Sequence, residues 1–284
     1  MHERLWRQRR RLIVTFVICA LAGLLAHSSG GFGAILQGFQ AGVLGMAATA
    51  LVLVALPELR WLAFKLAVIG LVCAVLSLIL PNWFVLFLGA LGAVFLPSQP
   101  WALDRFRVPA IFKARSQVPV SLDKDALWAK IFPSETSEHW DPLLRGIREG
   151  RSDGTYFFVY EAISSAGELQ VPVKVFDVEP GNHFKTRDLS QPDASEGGPV
   201  IVTSHVVEPS GDGAVLTLME ATWRPMLWTA FSQWLDDYLG DHTDRLVALL
   251  EGRRDWSLKG ASVKSLTESA GAHNFGLMLR SEAR

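Results

Sequence analysis

The sequence predicts an α+β fold: an antiparallel sheet wrapped around a long C-terminal helix, preceded by an all-α transmembrane domain. Three observations carry this. Apolar runs of nearly membrane-spanning length crowd the first hundred residues. Short β-rich runs separated by turn formers fill residues 144–222. The stretch Pro225 to Gly252 repeats its large apolar side chains at steps of three and four. Charge divides the chain in the same place. Residues 1–115 hold 11 Lys and Arg against 3 Asp and Glu, which leaves 16 against 25 for the remainder. An acidic second half argues against a nucleic-acid partner.

The membrane domain is predicted over residues 1–97, with spans at 12–28, 34–56, 61–80 and 81–97. The last of these only just reaches spanning length. Arg4, Arg7, Arg9, Arg10 and Arg11 precede the first span, and no small-residue cleavage site follows it, so it reads as a retained helix rather than a signal peptide. Arg60 and Lys65 mark one inner loop; Arg105, Arg107, Lys113 and Arg115 follow the fourth span. The turns near His27 to Gly33 and Pro81-Asn82 are free of Lys and Arg. The pattern predicts a multi-pass protein of the inner (cell) membrane with both termini cytoplasmic. Gly38, Gly42 and Gly45, with Ala41 and Ala48, give the second span a small-residue face for close packing, within the chain or in a homodimer. No Asp, Glu, Lys or Arg lies deep in a span, which weighs against an ion path. Cys19 and Cys73 lie in apolar runs and make no metal or redox motif.

Residues 98–115 read as an interfacial linker in which Trp101, Phe106, Ile111 and Phe112 alternate with cations. The soluble domain is predicted over 116–254. Val118–Leu122 is a short strand, and Asp123 caps a helix ending at Pro133. Ser134–His139 reads as a second short helix. Strands follow at Leu144–Glu149, Thr155–Ile163, Leu169–Val178, His183–Asp188, Pro199–Glu208 and Ala214–Thr222. Short turns between them imply an antiparallel meander. The closing helix presents Leu227, Phe231, Trp234, Leu235, Tyr238, His242, Leu246 and Leu249 on one face. Gly240 is its expected weak point, at about 1 kcal/mol relative to Ala. Residues 255–284 read as a disordered tail.

The order of elements and three stretches resemble the START-like (SRPBCC) helix-grip superfamily, which includes Bet v 1 and the polyketide cyclase/dehydrase group. Val118–Pro142 (VPVSLDKDALWAKIFPSETSEHWDP) is similar to that family's opening strand, helix and trailing Trp-x-Pro. Ser204–Gly213 (SHVVEPSGDG) is similar to its late hairpin, with Ala214–Thr222 as the last strand, and Trp223-Arg224-Pro225 leads into the closing helix. The resemblance covers residues 116–254. It implies a cavity between sheet and helix that holds a lipid, sterol, polyketide or other apolar molecule. The four preceding spans are not part of that pattern and favour work at a membrane.

No motif assigns chemistry. G-x-S-x-G, H-E-x-x-H, P-loop and G-x-G-x-x-G are absent, so the catalytic residues are unknown and no metal or cofactor is expected. The candidate ligand-binding residues are the aromatics of the third strand and of the strand–helix junction: Tyr156, Phe158, Tyr160, Trp223, Trp228, Phe231, Trp234, Tyr238 and His242. His139, beside Trp140 and Asp141, has no ligand-spaced partner and reads as a surface residue near a helix end, whereas His205 lies mid-strand and can point inward or outward; His183 is the remaining histidine of the domain. Glu161 and Glu220 sit in apolar strands, and alternation leaves Glu220 on either face. The sequence therefore predicts a membrane-anchored protein that binds a hydrophobic ligand, with membrane lipids as partners. The alternatives are an interaction module with a filled cavity and a membrane-protein partner, or a cyclase/dehydrase-type enzyme.

Overall fold

The computed structural model describes residues 2–27, 31–95, 106–135, 139–141, 144–150, 154–161, 168–189 and 200–258. Contacts divide the chain into two units. One is Met1–Arg105 with Phe231–Asp237; the other is Phe106–Ala230 with Tyr238–Arg284.

The first unit is helical: α1 (His2–Arg7), α2 (Arg9–Ala26), α3 (Phe32–Ala55), α4 (Arg60–Leu76) and α5 (Asn82–Phe95). The small-residue face of α3 packs inside the chain, against α2. A Cβ on Gly38 would lie 2.8 Å from the Ala20 carbonyl oxygen, so glycine is what lets the two backbones meet. Among the described residues, α3 is the one helix long and apolar enough to cross a membrane. The helices α2, α4 and α5 have 18, 17 and 14 residues. Large apolar side chains face outward on α2 to α5, including Leu44 at 70 % and Leu86 at 72 % exposed.

The same unit holds an ion cluster. Arg11 has no exposed surface and donates to the Asp236 carboxylate through Nε and Nη2. Arg60 Nε lies 3.4 Å from the other Asp236 oxygen. Gln8, also fully buried, donates to the Asp236 carbonyl at 2.7 Å. Arg7 and Arg10 flank Asp237. The Arg11 guanidinium lies 4.2 Å from the centre of the Trp61 ring.

This cluster explains a correction. The expected single helix from Pro225 to Gly252 is two helices, α7 (Leu227–Leu235) and α8 (Tyr238–Leu250). They part at Asp236-Asp237, where Asp237 has φ 48°, and not at Gly240, which lies buried inside α8. The two carboxylates at the break face four arginines, and those ion pairs offset an unfavourable backbone conformation.

The second unit carries one seven-stranded antiparallel sheet in the order β1-β7-β6-β5-β4-β3-β2. The strands are β1 (Ile111–Val120), β2 (Leu144–Glu149), β3 (Thr155–Glu161), β4 (Glu168–Glu179), β5 (His183–Asp188), β6 (Val200–Ser210) and β7 (Gly213–Trp223). Helix α6 (Lys124–Ile131) follows β1, and the Asp123 side chain caps it by accepting from the Ala126 N–H at 2.8 Å. A Cβ on Gly213 would lie 2.4 Å from the Val120 carbonyl, so the β6–β7 turn needs glycine to pass beside the end of β1.

Strand β1 starts at Ile111, inside the segment expected to be linker, because it pairs with β7 along its whole length from Ile111↔Trp223 to Val120↔Ala214. Pairing with a neighbour supplies the backbone partners that local propensity does not reveal. Of the expected short helix at Ser134–His139, Ser134, Glu135 and His139 are not helical, and residues 136–138 lie outside the described residues. Of the expected tail, residues 259–284 also lie outside them, but Leu258 is buried and its N–H donates to Asp241 Oδ1 at 2.7 Å. The core between the sheet and α8 is built from Leu127, Ile131, Val175, Phe184, Val207, Leu216, Leu218, Leu239, Leu246 and Val247.

Candidate functional site

Alternation along β7 buries Leu216 and Leu218 against α8, and this phase carries Glu220 to the same face. The sheet register then aligns a row of side chains across the floor: Glu220 opposite Thr203, and Thr203 opposite Thr186. A second row sets Leu218 opposite His205 and His205 opposite Phe184. Above this floor lie Tyr238, Leu239, His242 and Leu246 of α8. Between them is a cavity of about 300 Å³. Phe158, Tyr160, Val171 and Val173 form one wall; Ile131, Pro133, His139 and Trp140 form another.

Four of the nine predicted ligand residues, Phe158, Tyr160, Tyr238 and His242, line this cavity. Tyr156 packs against the core beside it. Trp223 points away from the cavity, one position out of phase with Leu216 and Leu218, and is 39 % exposed. Trp228 is half-buried and is not part of the lining. Phe231 and Trp234 belong to the helical unit, where the Phe231 ring lies 6.1 Å from Phe64 and Arg10 lies over Trp234. The helix periodicity was continuous in sequence, so nothing local announced that its middle turn leaves the cavity.

The polar lining residues Glu220, His205, Thr186, Thr203 and Asp188 were not among the predicted ligand residues. Their strand phase was the only signal, and it needed the sheet register to be read. The Glu161 side chain lies outside the described residues, whereas His183 sits apart from the cavity beside Asp177 and Glu179.

Two histidines and two tyrosines here are shifted toward their neutral forms. Burial pushes the His205 imidazole down to about 3. Its ring stacks on Phe184 with centroids 4.3 Å apart. Thr186 has one hydroxyl proton. Its oxygen lies 3.4 Å from the Thr203 carbonyl oxygen and 3.3 Å from His205 Nε2. His205 Nδ1 is buried with no partner. Burial also lowers His139, to about 4, against an opposing pull from Asp141. Its Nδ1 accepts from the Asp141 N–H at 3.2 Å, which leaves the proton on Nε2. Burial, reinforced by Asp141, raises the Tyr160 phenol to about 12. Tyr238 is raised for the same first reason, with Glu220 and Asp241 adding to it. Beneath His139, Asp141 lies 3.5 Å from Arg245, which is 4 % exposed. Trp140 meets His242 edge-on at 5.5 Å. Among the described residues no cluster of His, Cys, Asp and Glu could hold a metal ion.

No family model matches the chain, and no curated protein matches it in sequence. Solved structures similar to about half of the chain include MLL2253 from Mesorhizobium loti, at 16 % identity over 50 % of this chain and 98 % of that one, TM-score 0.36. CV1439 from Chromobacterium violaceum is 17 % identical over 49 % of this chain and 97 % of that one, TM-score 0.35. The di-domain ARO/CYC StfQ from the steffimycin biosynthetic pathway is 10 % identical over 54 % of this chain, TM-score 0.38, and the match spans 52 % of its length. At such identities and TM-scores the reading of the site rests on its own residues.

Proposed function

We propose that the chain is a membrane-anchored binder of a compact apolar molecule with one polar end, held between the sheet and α8 on the cytoplasmic side. The observation that carries this reading is the cavity itself: about 300 Å³, walled by aromatic and aliphatic side chains over a short polar floor. That volume sits at the lower end of small-molecule sites, so it suits a ring system or a single short chain rather than a whole two-chain phospholipid. A filled interior was the premise of the interaction-module alternative, and a cavity of this size weighs against it.

The enzyme alternative has polar groups to draw on, since Glu220, His205 and Tyr238 all border the cavity. The shifts disfavour a histidine as its base. A general base works best with a pKa near the operating pH, and imidazoles at about 3 and 4 are held far below it. Neutral imidazoles and protonated phenols are suited to hydrogen-bonding an uncharged ligand.

Membrane anchoring is supported by the outward apolar side chains on α2 to α5, such as Leu44, Leu51, Leu86 and Phe87. The arginines before and at the start of α2 support a cytoplasmic N-terminus. Four spans, the inner membrane and lipid as the ligand class belong to this proposal.

The test is solvent extraction and mass spectrometry of the purified full chain beside a Val171→Trp variant, whose indole fills the cavity from β4. The expected result is a small apolar molecule recovered with the wild type and lost from the variant. Equal recovery from both, or none from a folded wild type, refutes the reading.

A further inference from the structure

We propose that the outer face of the sheet at its β1–β7 edge is a docking surface for an anionic bilayer. The proposal rests on the reading of the helical unit as membrane-anchored. Ser116 and Val120 turn inward and are buried, so the alternate residues Ile111, Lys113, Arg115 and Gln117 face out, and all four are exposed. The register sets Trp223 beside Ile111, Ala221 beside Lys113 and Met219 beside Arg115. Ile111 is 47 % exposed, Trp223 and Met219 39 % each. Phe106, 62 % exposed, and Arg107 and Arg224, also exposed, stand at the same end, where the Arg224 N–H donates to the Ala110 carbonyl.

An exposed strand edge often carries Lys simply to prevent edge-to-edge pairing. That accounts for Lys113 and Arg115. It does not account for a tryptophan, an isoleucine and a phenylalanine left in water beside them. Aromatic and aliphatic groups with cations one pleat away are the composition of a surface that seats its apolar groups at the acyl boundary and its cations among headgroups. Residues 106–122 contain three cations and no carboxylate, within a half of the chain that is acidic as a whole. Ten residues lie between Phe106 and the end of α5 at Phe95, and the eleven steps reach at most about 40 Å.

The test uses the full chain with Cys19→Ala and Cys73→Ala, carrying a nitroxide at Ile111→Cys or, separately, at Leu44→Cys on α3. Each is placed in nanodiscs of phosphatidylcholine with or without phosphatidylglycerol. Collision with oxygen against a water-soluble nickel complex reports lipid contact. The Leu44 label should be in lipid in both. The Ile111 label should gain lipid contact with phosphatidylglycerol, and Lys113→Glu with Arg115→Glu should abolish the gain. Each cation near an anionic surface contributes about fivefold in partition, so the double variant exceeds any local packing effect. An Ile111 label with equal contact in both lipids, or none in either, overturns the docking surface. A Leu44 label in water overturns the membrane anchoring and the docking with it.

Discussion

Acid should destabilise the sheet unit through His205, and the amount follows from its burial. The folded state holds this imidazole at about 3, against about 6.5 in an unfolded chain. A lowered histidine pKa means that the unfolded state binds the proton first. Stability is therefore full above about pH 6.5 and falls as pH drops toward 3, by about 1.4 kcal/mol per pH unit. At pH 5 the loss from His205 is about 2 kcal/mol. His139, lowered to about 4, adds a similar slope over much of the same window. The perturbation is His205→Phe, which keeps a ring against Phe184 and removes the titration. The assay is hydrogen exchange of β5 and β6 in the full chain at pH 8, 6.5 and 5, read as opening free energies after correction for intrinsic rates. The variant costs something at pH 8 through the lost Thr186 hydrogen bond. Its difference from the wild type should move in its favour by about 2 kcal/mol at pH 5. A difference that stays constant across the series refutes the argument.

Three further outcomes are expected. Asp236→Asn should destabilise the helical unit by about 3 kcal/mol, because Arg11 then keeps a buried charge without its carboxylate. Scanning calorimetry in micelles should show the loss, and Arg11→Met with Asp236→Leu should recover much of it. Phe184→Ala should cost about 3–5 kcal/mol, since the ring is 1 % exposed and packs on Trp128, Phe132 and His205; urea titration read by pulse proteolysis measures this. Gly45→Val should loosen α2 from α3, because a Cβ there would lie 2.4 Å from Cys19 Sγ. Alkylation of Cys19 should then be several-fold faster.

Local pattern determined a good deal of this protein. Alternation and turn residues located six strands near their observed bounds, Asp123 announced the α6 cap, and the glycines of α3 announced its close approach to α2. These are short-range effects, set by backbone geometry and the size of a few side chains. Register and long-range charge pairing decided the rest. Glu220 could face either way until pairing with Thr203 and the burial of Leu216 and Leu218 set its side. The strand at Ile111–Arg115 had no local signature, because its hydrogen-bond partners lie about a hundred residues away in β7. The closing helix kept one unbroken apolar face in sequence, yet Arg11 and Arg60, remote along the chain, draw Asp236 out of the helical path and take Phe231 and Trp234 with it. Periodicity sees which side chains share a face; only the folded chain decides what that face meets.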